Sequence, residues 1–181
     1  PTVFTKDEVK VLDKLKSIAQ REDYVISWWD YGYPLRYYAD VKTLVDGGKH
    51  EGDVNFPVSF ILNSNQRDAS KMARLDVEYT EKMFLNRKDT SKKWASSNIE
   101  QMTNDYGFKN TNNFLASLKL DIKLPKKTRD IYLYLPNRMM GIFPTVTLFS
   151  NLNLMTGEKG KRPFFFKSNN IKETKNIIDL G

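Results

Sequence analysis

Two adjacent indoles followed at once by a carboxylate, Trp28, Trp29 and Asp30, with Tyr31 and Gly32 behind them, are the residues of this chain best suited to recognising a small ligand. An indole nitrogen can only donate a hydrogen bond and an ionised carboxylate can only accept, whereas an aliphatic hydroxyl does both. Side by side, the three groups would satisfy one Ser or Thr side chain completely. A second reading needs only packing and capping. Residues 23–29 read as a strand with Tyr24, Ile26 and Trp28 on one side and Val25, Ser27 and Trp29 on the other, so one Trp would be core. Asp30 would then cap a helix that carries Pro34 in its first turn. A strand-to-helix junction favours the ligand reading, because mixed folds tend to place ligands at the carboxyl ends of their strands.

The elements around this junction predict an α+β fold. Residues 1–150 form a mainly helical core unit, and residues 151–181 begin a β-rich part. Thr5 and Glu8 have the spacing of a capping box, after which Val9, Leu12, Leu15 and Ile18 recur on one helix face to about Gln20. A short helix is expected over Tyr31–Tyr38, a strand over Thr43–Val45 and a loop at Gly47, Gly48 and Gly52. Ala69, Met72, Leu75 and Tyr79 mark the core face of a long helix, and further helices are expected at Ser91–Tyr106 and Asn110–Leu118. Ile131, Leu133 and Leu135 alternate with Tyr132 and Tyr134 as in a strand that ends at Pro136. Residues 138–149 then read as a helix under an Asn137 cap, with Met139, Ile142 and Val146 on one face. A stripe at that spacing ordinarily faces a core. Pro144 should kink the helix and turn Ile142 towards a neighbouring pocket. Phe164–Phe166 and Ile177–Ile178 suggest short strands near the end.

Composition excludes several kinds of chemistry. The 181 residues are 40 % hydrophobic and 13 % aromatic, which argues for a folded domain. There is no cysteine and one histidine, His50, so neither a disulfide framework nor a site with two imidazole ligands can be built. No nucleophile-elbow pattern supports a triad around His50. Asp46, Glu51 and Asp53 lack the regular ligand spacing of a calcium loop, and no metal site is expected. The net charge of +7 is scattered over Lys92 and Lys93, Lys126 and Lys127, and Lys159, Lys161 and Arg162. Without a recognition helix this does not indicate a nucleic-acid partner, and it suits a domain lying over anionic lipid headgroups equally well. The longest apolar stretch, Met139–Phe149, is too short to cross a membrane.

At this point the chain resembles a family. Trp28–Gly32, WWDYG, is the signature of the catalytic subunit of oligosaccharyltransferase, the enzyme of Asn-linked protein glycosylation. Thr43–His50, TLVDGGKH, is similar to the family's TxVD-type segment. Met139, Ile142 and Val146 reproduce the Met, two residues, Ile, three residues, then Ile, Val or Trp pattern of bacterial members. The resemblance spans residues 20–150. It implies that the whole enzyme transfers an oligosaccharide from a polyprenyl pyrophosphate to the Asn of an N-x-S/T sequon, on the periplasmic side of the bacterial inner membrane. This chain would be its C-terminal domain, monomeric and inactive alone, with the multi-span membrane part upstream of Pro1 and more of the β unit beyond Gly181. Trp28, Trp29 and Asp30 would bind the acceptor hydroxyl, supported by Tyr31 and Gly32. Ile142, Met139 and Val146 would contact the methyl of a sequon Thr. Tyr33, Lys49 and His50 would meet the lipid-linked oligosaccharide. No catalytic residue is expected in this chain, and the Mg2+ or Mn2+ of the full enzyme would be held by the membrane part. A stand-alone peptide-binding or carbohydrate-binding module is the alternative.

Overall fold

The computed structural model describes residues 4–86, 95–160 and 170–179. Helix α1, Lys6–Ile18, starts at the expected capping box: the Glu8 N–H donates to Thr5 Oγ1 at 3.2 Å, and the Thr5 N–H donates to Glu8 Oε2 at 2.8 Å. Leu12 and Leu15 are buried, while Ile18 lies exposed at the last turn. Strand β1, Tyr24–Ile26, follows, then a 3-10 turn over Trp29–Tyr31 and helix α2, Gly32–Ala39. Strand β2, Ile131–Leu133, pairs with β1 in parallel, with Tyr24 opposite Ile131 and Ile26 opposite Leu133. On its other side β1 meets Lys42, whose carbonyl accepts from the Val25 N–H at 2.9 Å. Enclosed by neighbours on both edges, β1 is buried along its whole length rather than alternating. Asp23 sets the register, because its carboxylate accepts from the Asp130 and Gln20 N–H groups, each at 2.8 Å.

Several expectations change here. Thr43–Val45 is not a strand; pairing is limited to bridges at Lys42 and between Asp46 and Lys49, which close a tight turn. At the end of β2 the alternation turns the tyrosine inward: Tyr134 is buried, whereas Leu133 and Leu135 are more than half exposed. The Tyr134 ring meets Tyr31 edge-on at 5.9 Å and its carbonyl accepts from Ser27 Oγ, so the motif side of the sheet takes the aromatic face. Helix α3, Asn55–Asn63, has no counterpart in the sequence reading. It is apolar around most of its circumference and therefore shows no stripe, as befits a buried helix. Residues 138–149 are not one kinked helix either. A 3-10 turn over Asn137–Gly141, without an Asn137 side-chain cap, leads into helix α7, Phe143–Ser150, with Pro144 in its first turn, where its missing N–H costs nothing.

Helix α4, Gln66–Asn86, is the long helix foreseen, with Ala69, Met72, Leu75 and Tyr79 buried. Helices α5, Asn98–Asp105, and α6, Thr111–Ser117, are capped by Ser97 and Asn110. Residues 91–94 of the expected helix lie outside the described residues, as does the expected strand at Phe164–Phe166. Beyond α7 the β structure consists of a Leu152–Lys159 bridge and an antiparallel pair, β3, Lys172–Glu173, and β4, Ile178–Asp179. The architecture is thus α+β, with the helices dominant. Among the described residues no helix is long and apolar enough to cross a membrane.

The sheet is tied to α4 by Glu81, whose carboxylate accepts from the Tyr24 hydroxyl at 2.6 Å and from Lys42 at 3.1 Å and pairs with Arg129 at 3.0 Å. Strand β1 and the two segments that flank it converge on this one side chain. Glu81→Ala would leave Arg129, only 14 % exposed in its side chain, without this partner, and should cost about 3 kcal/mol. A urea melt that moves by less than a third of that would show the cluster to be peripheral.

Candidate functional site

The motif sits where β1 runs out. Trp28 is still extended, at φ −70° and ψ 154°, and the chain then turns through Trp29–Tyr31 into α2. This separates the two indoles. Trp28 is buried, with its ring 5.2 Å from Phe149 of α7, as the packing reading expects of one Trp. Trp29 is half-buried and stacks on His50, centroids 4.6 Å apart and planes 20° from parallel. Asp30 is exposed, and it does not cap α2: the cap position belongs to Tyr31 and makes no side-chain bond. Its carboxylate therefore points its chemistry at solvent. Behind it Tyr31 is buried, and the Arg138 guanidinium lies over its ring at 5.0 Å. Burial pushes the Tyr31 phenol above its ordinary range, with Arg138 opposing.

Gly32 and Asp46 fix the corner. A Cβ on Gly32 would lie 2.5 Å from the Val45 carbonyl oxygen and against Asp46 Cβ, so only glycine lets α2 approach the 45–46 backbone this closely. Asp46 accepts from Arg36 of α2 and from the Gly48 N–H, each at 2.8 Å. Its carboxylate holds the turn to the helix rather than serving as an ion ligand. Tyr33 covers Gly47 and Gly48, whose lack of side chains leaves room for its ring. His50 is tied through its carbonyl to Asn55 Nδ2 at 2.6 Å, and its Nδ1 is buried without a hydrogen-bond partner.

Tyr33 and Lys49 line one open cavity of about 920 Å³ together with Arg36, Asp46 and the exposed ring of Tyr37. His50 is not on that wall. The three expected donor-contacting residues thus divide into a pair on the groove and an imidazole on Trp29. Met139 and Val146 are fully buried in the core, as their stripe spacing alone suggests, and Ile142 is half-buried at the break between the 3-10 turn and α7. Pro144 does not turn Ile142 outwards by a kink; the break before α7 sets its position. Phe149 and Arg138 are participants that sequence reasoning missed, and Asp46, weighed there as an ion ligand, closes the turn instead. For Asp46 a signal existed, since Asp before Gly-Gly favours a side-chain-closed turn. Among the described residues no three His, Asp or Glu side chains gather as metal ligands would.

The Trp-Trp-Asp corner, the TLVDGGKH turn and the Met139–Val146 segment all lie within the part of the chain that matches a known family, the STT3/PglB/AglB core domain. That family's sequence profile matches residues 21–156, and the chain belongs to it. The chain is 53 % identical, over 178 residues, to undecaprenyl-diphosphooligosaccharide-protein glycotransferase of Campylobacter jejuni, in strain RM1221 and in a serotype O:2 strain. The alignment takes in 97 % of this chain and 24 % of those relatives, so the chain spans about a quarter of their length. Its fold is similar to the crystal structure of the C. jejuni PglB C-terminal domain, with a TM-score of 0.73 and 54 % identity over 81 % of this chain and 54 % of that one.

Gly32→Ala should destabilise the domain by about 1–3 kcal/mol, because backbone rather than a flexible side-chain tip stands in the way. Thermal unfolding checks this, and a melting temperature equal to that of the native protein would mean that α2 can retreat freely.

Proposed function

We propose that this chain is the acceptor-reading part of an oligosaccharyltransferase that moves a glycan from a polyprenyl pyrophosphate to the Asn of an N-x-S/T sequon. The observation that carries the reading is the exposed Asp30 carboxylate beside the half-buried Trp29 indole, on a chain of the STT3/PglB/AglB family. Asp30 accepts a hydrogen bond from the sequon hydroxyl, the indole N–H of Trp29 donates to its oxygen, Trp28 anchors the corner from the core, and Tyr31 with Gly32 fixes it. The similar C. jejuni proteins, named as glycotransferases acting from undecaprenyl diphosphooligosaccharide to protein, support this reaction class. In this reading Ile142 meets the methyl of a sequon Thr, with Met139 and Val146 beneath it as the rigid floor. Tyr33 and Lys49 approach the lipid-linked donor along their groove, and His50 approaches it through the Trp29 stack.

The divalent ion of such a transferase would neutralise the pyrophosphate leaving group, and the carboxylates holding it would lie outside this chain. Here the residues bind and orient the acceptor; the transfer step itself belongs elsewhere in the longer enzyme, on the periplasmic side of the membrane.

In the full-length enzyme Asp30→Ala should weaken sequon-peptide binding by about 1–3 kcal/mol, because the donors then lack the acceptor that orients the hydroxyl. Fluorescence anisotropy with a labelled peptide tests it, and unchanged affinity would remove Asp30 from the site. Ile142→Ala should act on Thr peptides and spare Ser peptides. One buried methyl is worth roughly 0.8 kcal/mol, about a fourfold preference. Equal losses for both peptides would make Ile142 a packing residue only.

A further inference from the structure

Residues 138–149 meet the motif corner at two points. At the far end the Phe149 ring lies 5.2 Å from that of Trp28. At the near end the Arg138 guanidinium carbon lies 5.0 Å from the centre of the Tyr31 ring and 4.9 Å from that of Phe4, and its Nε pairs with Glu8 Oε1 at 3.6 Å. Both rings are within the range at which an aromatic face attracts a cation. Tyr31 follows Asp30 directly, and Ile142 lies between the two contact points.

The two sides of Ile142 are not equally firm. On its far side α7 holds it: the Ile142 carbonyl accepts from the Thr145 and Val146 N–H groups at 2.9 and 3.1 Å, and Val146 is fully buried. On its near side the chain is a 3-10 turn, whose hydrogen bonds have poorer geometry than those of an α-helix. Met140 is exposed and Gly141 stands in open space, so the apolar anchor of the turn is Met139. An unbranched methionine adapts to the space it is given and leaves the rotation of the turn loosely defined. A planar guanidinium set against two rings and a carboxylate defines it.

We propose that Arg138 is a positioning residue: by resting its guanidinium on the Tyr31 ring it fixes the 3-10 turn against the Trp29–Asp30 corner and so sets where Ile142 stands relative to Asp30. The consequence for choosing Thr over Ser rests on the function proposed above; the brace itself does not. Stability explains little of this arginine, because its side chain is 42 % exposed and an ion pair that wet contributes little to the fold. What it supplies is alignment. A group that reads a hydroxyl and one that reads a methyl can serve the same Thr side chain only if the spacing between them is held. Were Ile142 alone to drift, the methyl contact would be lost and the hydroxyl contact kept.

Methyl NMR of the whole chain tests the brace, with the δ-methyl of Ile142 assigned by its loss in Ile142→Val. Arg138→Met keeps a long apolar stem and removes the guanidinium. It should shift the Ile142 methyl signal and make that methyl more mobile, while the Val146 methyls, in the core, keep their positions. Arg138→Lys, which retains the charge without the plane, should fall between the two, and it carries the test alone if Arg138→Met does not fold. An Ile142 signal unchanged in these variants overturns the proposal. So does a Val146 signal that moves as far as that of Ile142, since α7 as a whole would then have shifted. In the full-length enzyme Arg138→Met should lower the Thr-over-Ser preference in kcat/KM from about fourfold towards none, whatever the absolute rates. If the methyl signal moves and the preference stays, the brace stands and the reading of Ile142 as the methyl contact fails. A preference lost with the methyl signal unmoved overturns the brace instead, because Arg138 would then act on the peptide directly.

Discussion

Helix α4 holds the molecule together through polar groups that it buries rather than through its apolar stripe alone. Around its circumference Lys71 donates to the Leu118 and Leu120 carbonyls, Asp76 takes Asn98, Glu78 accepts from the Thr128 N–H and hydroxyl, Tyr79 meets Asp105 and Glu81 collects Tyr24, Lys42 and Arg129. Between them these bonds reach residues 118–120, helix α5, residues 128–129, strand β1 and Lys42. Buried polar groups are costly unless satisfied, so a helix with such a row fits only one arrangement of its neighbours. Apolar contacts tolerate sliding by a residue or two; these bonds do not. The register of β1 against β2, and with it the point at which the strand stops, follows from Glu81 and Asp23.

That stopping point decides the geometry of the motif. A strand sends successive side chains to opposite faces, and a tight turn at its end sends the next ones to a third direction. Trp28 therefore stays with the core and lies against Phe149, Trp29 leaves it for His50, and Asp30 reaches solvent. The turn has to be tight because α2 must return close to residues 45–46, which the bare Gly32 allows and the Asp46–Arg36 pair secures.

The parts of the fold visible in the sequence were those with local causes. The Thr5–Glu8 box, the helix start at Asn110 and the periodic stripe of α4 act within one or two turns, and the chain pattern shows them directly, whereas α5 begins at its Ser97 cap and not at the expected Ser91. What escaped was set by neighbours distant in sequence. Helix α3 is apolar nearly all round because α4 and α7 cover it, so no period betrays it. The β2 strand shows its alternation, yet which face turns inward depends on Tyr31 and Ser27, about a hundred residues away. Pro144 looked like an interruption and is a start, since the residues before it form a 3-10 turn. For the site, WWDYG was legible as a constellation, while the parting of its two indoles and the division of Tyr33, Lys49 and His50 between two places were not.

A common logic runs through the three motif segments. Each pairs a buried anchor with a neighbour that reaches the surface: Trp28 with Trp29 and Asp30, Met139 and Val146 with Ile142, and the Asp46 carboxylate with Lys49 and His50. The anchor has its rotamer fixed by packing, so the neighbour on the same short stretch of backbone loses little further freedom when a ligand arrives. In the reading proposed above, recognising a hydroxyl and one methyl group would yield little binding energy, a few kcal/mol at most. Such a weak signal would survive only where ordering costs are met in advance, and holding a few exposed atoms still is what these buried anchors would contribute to it.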